Sequence, residues 1–322
     1  MKLEFWIGLK NGGRFKWVMF NYERIKHEKK ITYKSCHSVV NLSTVLAVPT
    51  YAADNGVYLT TKSGAELTKT QYDNLKKIYT EEDLAVLPSD FIEEIKNEPD
   101  LVLEDRDEVC VITRTRYDEN NQPVETINTE VTEAEAKRVA AMPETRGSSW
   151  QTSSKKLVIE VIQVDGSTKK VRLTNTWLKL PKVRSYDVMA LRLTDTSNDF
   201  RPGFSAIQRY DGKEINYSQY GDNIRQPGSF LSYRGIGVSM NIVDSVSSSL
   251  SNTMAITILN RNDKTKVYGT YQHATSKVTL AQSKDYDIAA GGLGNVLKFS
   301  SSVASKYDGM QGVSAEAKWS FE

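Results

Sequence analysis

The stretch "KLVIEVIQVDGSTKKVRLTNTWLKL", residues 156–180, decides what kind of fold this chain can adopt. Two runs rich in Val, Ile, Leu and Thr flank Asp165-Gly166, a pair that supplies the backbone a tight turn demands, so the stretch reads as a β-hairpin. The pattern continues downstream. "RSYDVMALRL" reads as a third strand, and "AITILN", "KVYGTYQHA", "NVLKFSSSVASKY" and "VSAEAKWSF" as later ones. "RYDGKE", "NRNDKT" and "KYDGMQG" are turn signals. No helical stripe of convincing length interrupts them. Roughly ten short strands at this spacing predict an all-β domain over 155–322, sandwich-like, with a barrel as the second choice.

Upstream the signals change. In "LTKTQYDNLKKIY" Thr68 and Gln71 have capping-box spacing, Leu67 and Tyr72 that of a hydrophobic staple, and Tyr72, Leu75 and Tyr79 share a stripe. A second short helix is expected in "PSDFIEEIKN", capped by Ser89 or Asp90 with Phe91, Ile92 and Ile95 inward. "EVCVITRTRYD" alternates as a strand, "ENNQP" turns and "VETINTEVT" returns. Thr132 to Met142 reads as a third helix, with Thr132 as cap and Glu135 at the reciprocal position. An α+β unit over 53–142 and a linker over 143–154 follow, giving an α+β chain overall.

Charge supports that division. Residues 53–149 hold 11 basic and 22 acidic side chains, whereas 150–322 hold 22 basic and 15 acidic. An asymmetry on this scale suggests two units of opposite sign.

The first 52 residues read as an N-terminal extension ending in a signal peptide. Lys16, Arg24, Lys26, Lys29, Lys30 and Lys34 precede the short apolar run from Val39 to Val48, and "PTYAAD" places small residues at a cleavage point between Ala52 and Ala53. The run is about half the roughly 20 residues that span a bilayer, so no transmembrane helix is expected after cleavage. A buried strand is the competing reading of Val39, Val40 and Val45. Cleavage leaves 270 residues with 33 basic and 37 acidic side chains, and only Cys110 and His273 of their kinds. An intrachain disulfide and a Cys/His zinc site are then impossible by count. The expected localisation is secreted, extracellular or at the cell envelope.

The export signal, the segment "LTKTQYDNLKKIYTEEDLAVLPSDFIEEI", and "SWQTSSKKLVIEV" leading to "LTNTWLKLPKVRSYDVMALRL" together resemble a group of uncharacterised exported proteins of low-GC Gram-positive bacteria. The resemblance spans most of the chain after residue 52 and implies secretion. It brings no catalytic residues.

Chemistry is sparse. The chain lacks a G-x-S-x-G elbow, an H-E-x-x-H pair and a phosphate-cradling G-x-x-x-x-G-K loop. The glycines of "RGIGVSM" and "AAGGLGNVL" read as strand bends or turns. Pro123 in "DENNQP" stands where a calcium loop of the helix-loop-helix type needs glycine. Cys110, beside Asp107 and Glu108, reads as a buried structural thiol, and His273 as a half-exposed strand histidine. No metal, cofactor or catalytic residue is expected, and an enzyme is the less favoured class.

The stretch most like a binding surface is 209–235. Arg209, Tyr210, Tyr217, Tyr220, Asn223, Arg225, Tyr233 and Arg234 combine stacking faces with planar cationic forks, suited to a cell-wall polymer, a carbohydrate or an anionic lipid surface. Packing at the sandwich edge is the plainer reading of the tyrosines. Nucleic acid is disfavoured, because the chain after cleavage is acidic overall and carries no recognised module. In "GVSMNIVDSVSSSLSNTMAITILN" the apolar residues Val238, Met240, Ile242, Val246, Leu250, Met254, Ile256 and Ile258 all fall on even positions. That suits two ordinary strands with one face in the core, or a hairpin held in reserve as in β-pore-forming toxins. The favoured function is a binding protein, with pore formation or secreted hydrolysis as alternatives. The oligomeric state is not legible.

Overall fold

The computed structural model describes residues 2–11, 14–23, 56–87, 89–143, 149–165, 168–194, 200–225, 235–259, 264–288 and 296–318. The chain divides into two units, Met1–Ala53 and Asp54–Glu322. In the first, β1 (Lys2–Asn11) and β2 (Arg14–Glu23) pair antiparallel from Lys2↔Glu23 to Asn11↔Arg14. The sequence reading gave this stretch no element, although Gly12-Gly13 between Asn11 and Arg14 is a two-residue hairpin signal. The expected signal segment, with Ala52 and Ala53, lies outside the described residues.

The second unit is mostly antiparallel β. It opens with β3 (Leu59–Thr60), β4 (Glu66–Leu67), α1 (Lys69–Leu75), α2 (Glu81–Val86) and α3 (Ser89–Ile95). The long β5 (Val102–Tyr117), β6 (Pro123–Val131), α4 (Glu133–Ala141), β7 (Trp150–Gln163), β8 (Thr168–Lys179) and β9 (Tyr186–Leu193) follow. Then come β10 (Phe200–Tyr210), β11 (Lys213–Tyr217), β12 (Ile224–Arg225), β13 (Gly235–Asn241), β14 (Leu250–Leu259) and β15 (Lys264–Gln272). The chain finishes with α5 (Leu280–Ser283), β16 (Tyr286–Ile288), β17 (Leu297–Phe299), α6 (Ser301–Ala304) and β18 (Val313–Lys318).

Two sheets carry this unit. One has seven strands in the order β11-β10-β14-β8-β7-β5-β6, the other five in the order β12-β13-β9-β15-β18. Odd-numbered Leu157, Ile159, Val161, Val171 and Leu173 of the first sheet meet Met189, Leu191, Leu193, Val267 and Val313 of the second in one buried core. The all-β expectation for the C-terminal region holds in outline. The division at 143–154 does not match the pairing: β5 runs alongside β7 from Val102↔Gln163 to Arg116↔Trp150, and β7 begins inside the expected linker. Strands from the acidic stretch and the basic stretch therefore share one sheet.

The run Glu104-Asp105-Arg106-Asp107-Glu108 has a structural use. β18 is an edge strand, and an edge presents unpaired N–H groups that invite wrong partners. Asp107 accepts the N–H of Ser314 at 3.0 Å, Asp105 that of Glu316 at 2.8 Å and Glu104 that of Lys318 at 3.2 Å. The acidic row covers that edge.

On its outer face the seven-stranded sheet carries α1–α3; Leu75, Leu84, Phe91, Ile92 and Ile95 of the helices and Tyr79 between α1 and α2 form a second core with Ile162. The Thr68/Gln71 capping box forms as expected, but α1 ends at Leu75, before Tyr79. Thr80 and Asp83 build a further box that starts α2, an element the sequence reading missed. For α4, Thr132 accepts the N–H of Glu135, while the Glu135 carboxylate turns to Arg138 at 2.6 Å. Cys110 is buried, and burial pushes its thiol up.

The outer face of the five-stranded sheet is covered by α5, α6 and the β16/β17 pair, through Val188, Tyr286, Val303 and Tyr307. "NVLKFSSSVASKY", read as one strand, is instead a short strand followed by α6 starting after Ser300. Gly235 and Gly237 are neither bends nor turns: they lie inside β13 and let this layer approach. A Cβ at Gly235 would stand 2.6 Å from Ile288 Cγ2, and one at Gly237 2.9 Å from Tyr286 Cζ. Gly237→Ala is therefore expected to cost about 1–3 kcal/mol through overpacking against a buried ring. A urea midpoint equal to that of the unaltered protein would refute this account of the glycine. At "RYDGKE", Asp211 and Gly212 both take positive φ, 48° and 76°, between paired Tyr210 and Lys213, as a two-residue hairpin turn requires.

Candidate functional site

Toward one end of the two-sheet core the interior turns polar. Asp187 on β9 is fully buried; its Oδ1 lies 2.9 Å from His273 Nδ1 and accepts the N–H of Ala274 at 3.0 Å. Its Oδ2 accepts the Tyr271 hydroxyl at 2.5 Å. That hydroxyl in turn accepts from Trp177 Nε1 at 3.2 Å and Asn252 Nδ2 at 2.7 Å, and Gln208 donates to Asn252 at 3.1 Å. Burial, then the charge of Asp187, pushes the Tyr271 phenol well above its ordinary value, so it stays protonated and donates. Beside this chain of bonds, Lys155 and Asp308 form a fully buried ion pair.

His273 is thus buried, not half-exposed, and its ring stands edge-on to Trp177 with centroids 5.0 Å apart. Among the described residues no hydroxyl or thiol is hydrogen-bonded to that ring. Among the described residues no nucleophile is paired with His273 as its base. No group of three or more His, Cys, Asp or Glu among the described residues is placed to hold a metal ion.

Outside this polar layer a cleft of about 540 Å³ opens, lined by Tyr117, Gln122, Gln151, Lys182, Arg184, Asp244, Ser276, Lys277 and Lys306 among others. Its walls come from separate connections: the β5–β6 turn, the β8–β9 and β13–β14 loops, and the segments after β15 and α6. Tyr117 ties two of them together, its hydroxyl donating to the carbonyl of Thr275 at 2.9 Å. Four side chains of the wall are cationic and one, Asp244, is anionic. Lys277 Nζ lies 3.3 Å from Asp244 and donates to the Arg184 carbonyl at 2.6 Å. Arg184 Nη2 donates to the Val246 carbonyl at 3.3 Å, while Nη1 is buried without a hydrogen-bond partner. Burial draws the Arg184 guanidinium below its usual value, with Asp187, Asp244 and Asp211 opposing.

Those of the residues singled out in the sequence that are described do not line this cleft. Arg209 and Tyr210 lie on β10 and Tyr217 on β11, in the seven-stranded sheet. Arg209 pairs with Glu214 at 2.9 Å, and the two tyrosines pack against the central core. Arg225 lies on β12 of the other sheet, 3.2 Å from Asp287 and over the Tyr286 ring. Asn223 donates to the Ser239 carbonyl at 2.7 Å, and Tyr220 is exposed. Tyr233 and Arg234 lie outside the described residues. Nor do β13 and β14 form a hairpin: they belong to different sheets, and the eight apolar residues on even positions from Val238 to Ile258 enter the core.

The cleft residues were missed because they come from connections far apart in the chain. The only signal for them was the excess of basic residues after residue 150. No model of a known protein family matches the chain, and the search of curated proteins gives no match either. Among the described residues no helix is long and apolar enough to cross a membrane.

Proposed function

We propose that this is an exported binding protein whose sandwich-like β unit holds an anionic, hydroxyl-bearing polymer in the cleft at its end. The observation that carries the reading is the wall itself: Lys182, Arg184, Lys277 and Lys306 against a single carboxylate. Phosphate or carboxylate groups supply the missing counter-charge. Gln122, Gln151 and the Tyr117 ring offer the amide and stacking contacts that sugar or polyol hydroxyls use. A cell-wall polymer of glycerol phosphate type meets both demands. Export rests on the basic, apolar and small-residue order before Ala53.

Attraction of this kind weakens as salt shortens the Debye length. Binding to a polyglycerol phosphate polymer is expected to fall steeply between low and physiological salt. Lys182→Glu combined with Lys306→Glu is expected to weaken it about tenfold or more, about 1.4 kcal/mol or above. Isothermal titration at two salt concentrations checks both. Equal affinity for neutral dextran, or indifference to the two reversals, would overturn the reading. Recovery from culture fluid of a chain beginning near Ala53 checks export.

A further inference from the structure

Lys155 projects from the inner face of β7, and Asp308 sits between Tyr307 and β18, 153 residues later. Both side chains are wholly buried. The rings of Trp177 and Tyr271 stand over Lys155 Nζ, each centroid 5.3 Å away. Asp308 Oδ2 faces Nζ, while Oδ1 accepts the backbone N–H of His273 at 3.1 Å and that of Met310 at 3.4 Å.

We propose that this pair condenses to an intramolecular amide between Lys155 Nζ and Asp308 Cγ, tying β7 covalently to the approach to β18. Keeping an ammonium and a carboxylate out of water is costly even after relaxation. Transfer of one proton from Nζ to Oδ2 removes both charges and leaves a neutral amine against a carboxylic acid, the two forms the condensation requires. The amine lone pair attacks Cγ, and the negative charge that develops on Oδ1 meets the two N–H groups already directed at it. Oδ2 departs as water, carrying two of the three protons of the original ammonium. Ammonium and carboxylate thus give one amide and one water, and no further reagent is required. The fold supplies the encounter, because both groups are fixed against each other by packed strands.

Lys169 and Glu104 provide an internal comparison. They also pair, but Glu104 keeps 13% of its side chain exposed, and Lys169 Nζ is shared with Gln163 at 3.2 Å. Glu104 is reachable by water, and no condensation is expected there.

Peptide mapping of the full chain by mass spectrometry, after denaturation and trypsin digestion, tests the proposal. The expected result is a branched peptide joining the Lys155 and Asp308 segments, uncleaved at Lys155 and lighter by one water than its two linear parts. Lys155→Arg keeps a cation opposite Asp308 and should return only linear peptides. Recovery of the wild-type segments as linear peptides, cleaved at Lys155, overturns the proposal. So does loss of water at Lys169 and Glu104 with Lys155 unmodified. The wild-type map decides the matter even where the arginine variant fails to fold.

Discussion

Asp187→Ala should lower the stability of this protein by about 3–5 kcal/mol, the range for stripping one partner from a buried, hydrogen-bonded charge network. The carboxylate takes three donors at once: the Tyr271 hydroxyl, His273 Nδ1 and the Ala274 amide. Alanine brings no acceptor for any of the three donors, and all three lie in the buried interior. Asp187→Asn keeps one acceptor oxygen but turns an N–H₂ toward a group that donates, so it should recover only part of the loss. Urea unfolding followed by tryptophan fluorescence reads the midpoint and slope together. An alanine variant within about 0.5 kcal/mol of the parent, the scale of an ordinary surface change, would refute this role. The network joins β9 and β15 of one sheet to β8, β14 and β10 of the other. Its directional bonds fix the register between the layers, which non-directional apolar contact alone does not.

How far the sequence reveals this fold depends on how local each signal is. Capping at Thr68, the strand pattern of β5 and the turn signal at Asp211-Gly212 act within a few residues, and each is found where it was expected. Thr80 and Asp83 were equally legible, three residues apart, and α2 could have been found from them. The partnership of β5 with β7 was not. The charge division suggested separate units because the row from Glu104 to Glu108 looks like a solvated run until its acceptors meet the N–H groups of β18, more than two hundred residues on. The even-numbered positions from Val238 to Ile258 reveal a buried face but not that β13 and β14 lie in opposite sheets, since alternation reports a face and says nothing about the partner. The glycines of β13 are explained only by Tyr286 and Ile288, which return from about fifty residues downstream. For the cleft the same limit holds more strongly, because its cations arrive on loops whose only common property is their end of the two-sheet core.

The second large effect is expected at Glu160. On the outer face of β7 its side chain is almost wholly buried, pairing with Arg172 through Nε at 2.7 Å and through Nη2, and with Arg106 Nη1 at 3.2 Å. The Arg172 guanidinium lies over the Phe91 ring, 4.5 Å from its centroid, and 5.5 Å from that of Tyr79. One carboxylate thereby neutralises the cation on which the helical layer of α1–α3 rests. Burial works against the charge on Arg172, and Glu160 is the foremost group holding it. Glu160→Ala leaves a desolvated guanidinium without a counter-ion, and the expected cost is about 3–5 kcal/mol. Arg172→Met together with Glu160→Leu removes both charges and refills the space, so the double variant should be more stable than Glu160→Ala, with a coupling energy of about 1–3 kcal/mol in a double-mutant cycle. Hydrogen exchange locates the damage. In Glu160→Ala the amides of 68–95 should lose protection before those of β14 and β15, because the helical layer loses its seat while the inner core is untouched. Equal losses throughout the unit would mean that Glu160 supports the sheet itself, and additive single effects would mean that the pair does not act as one.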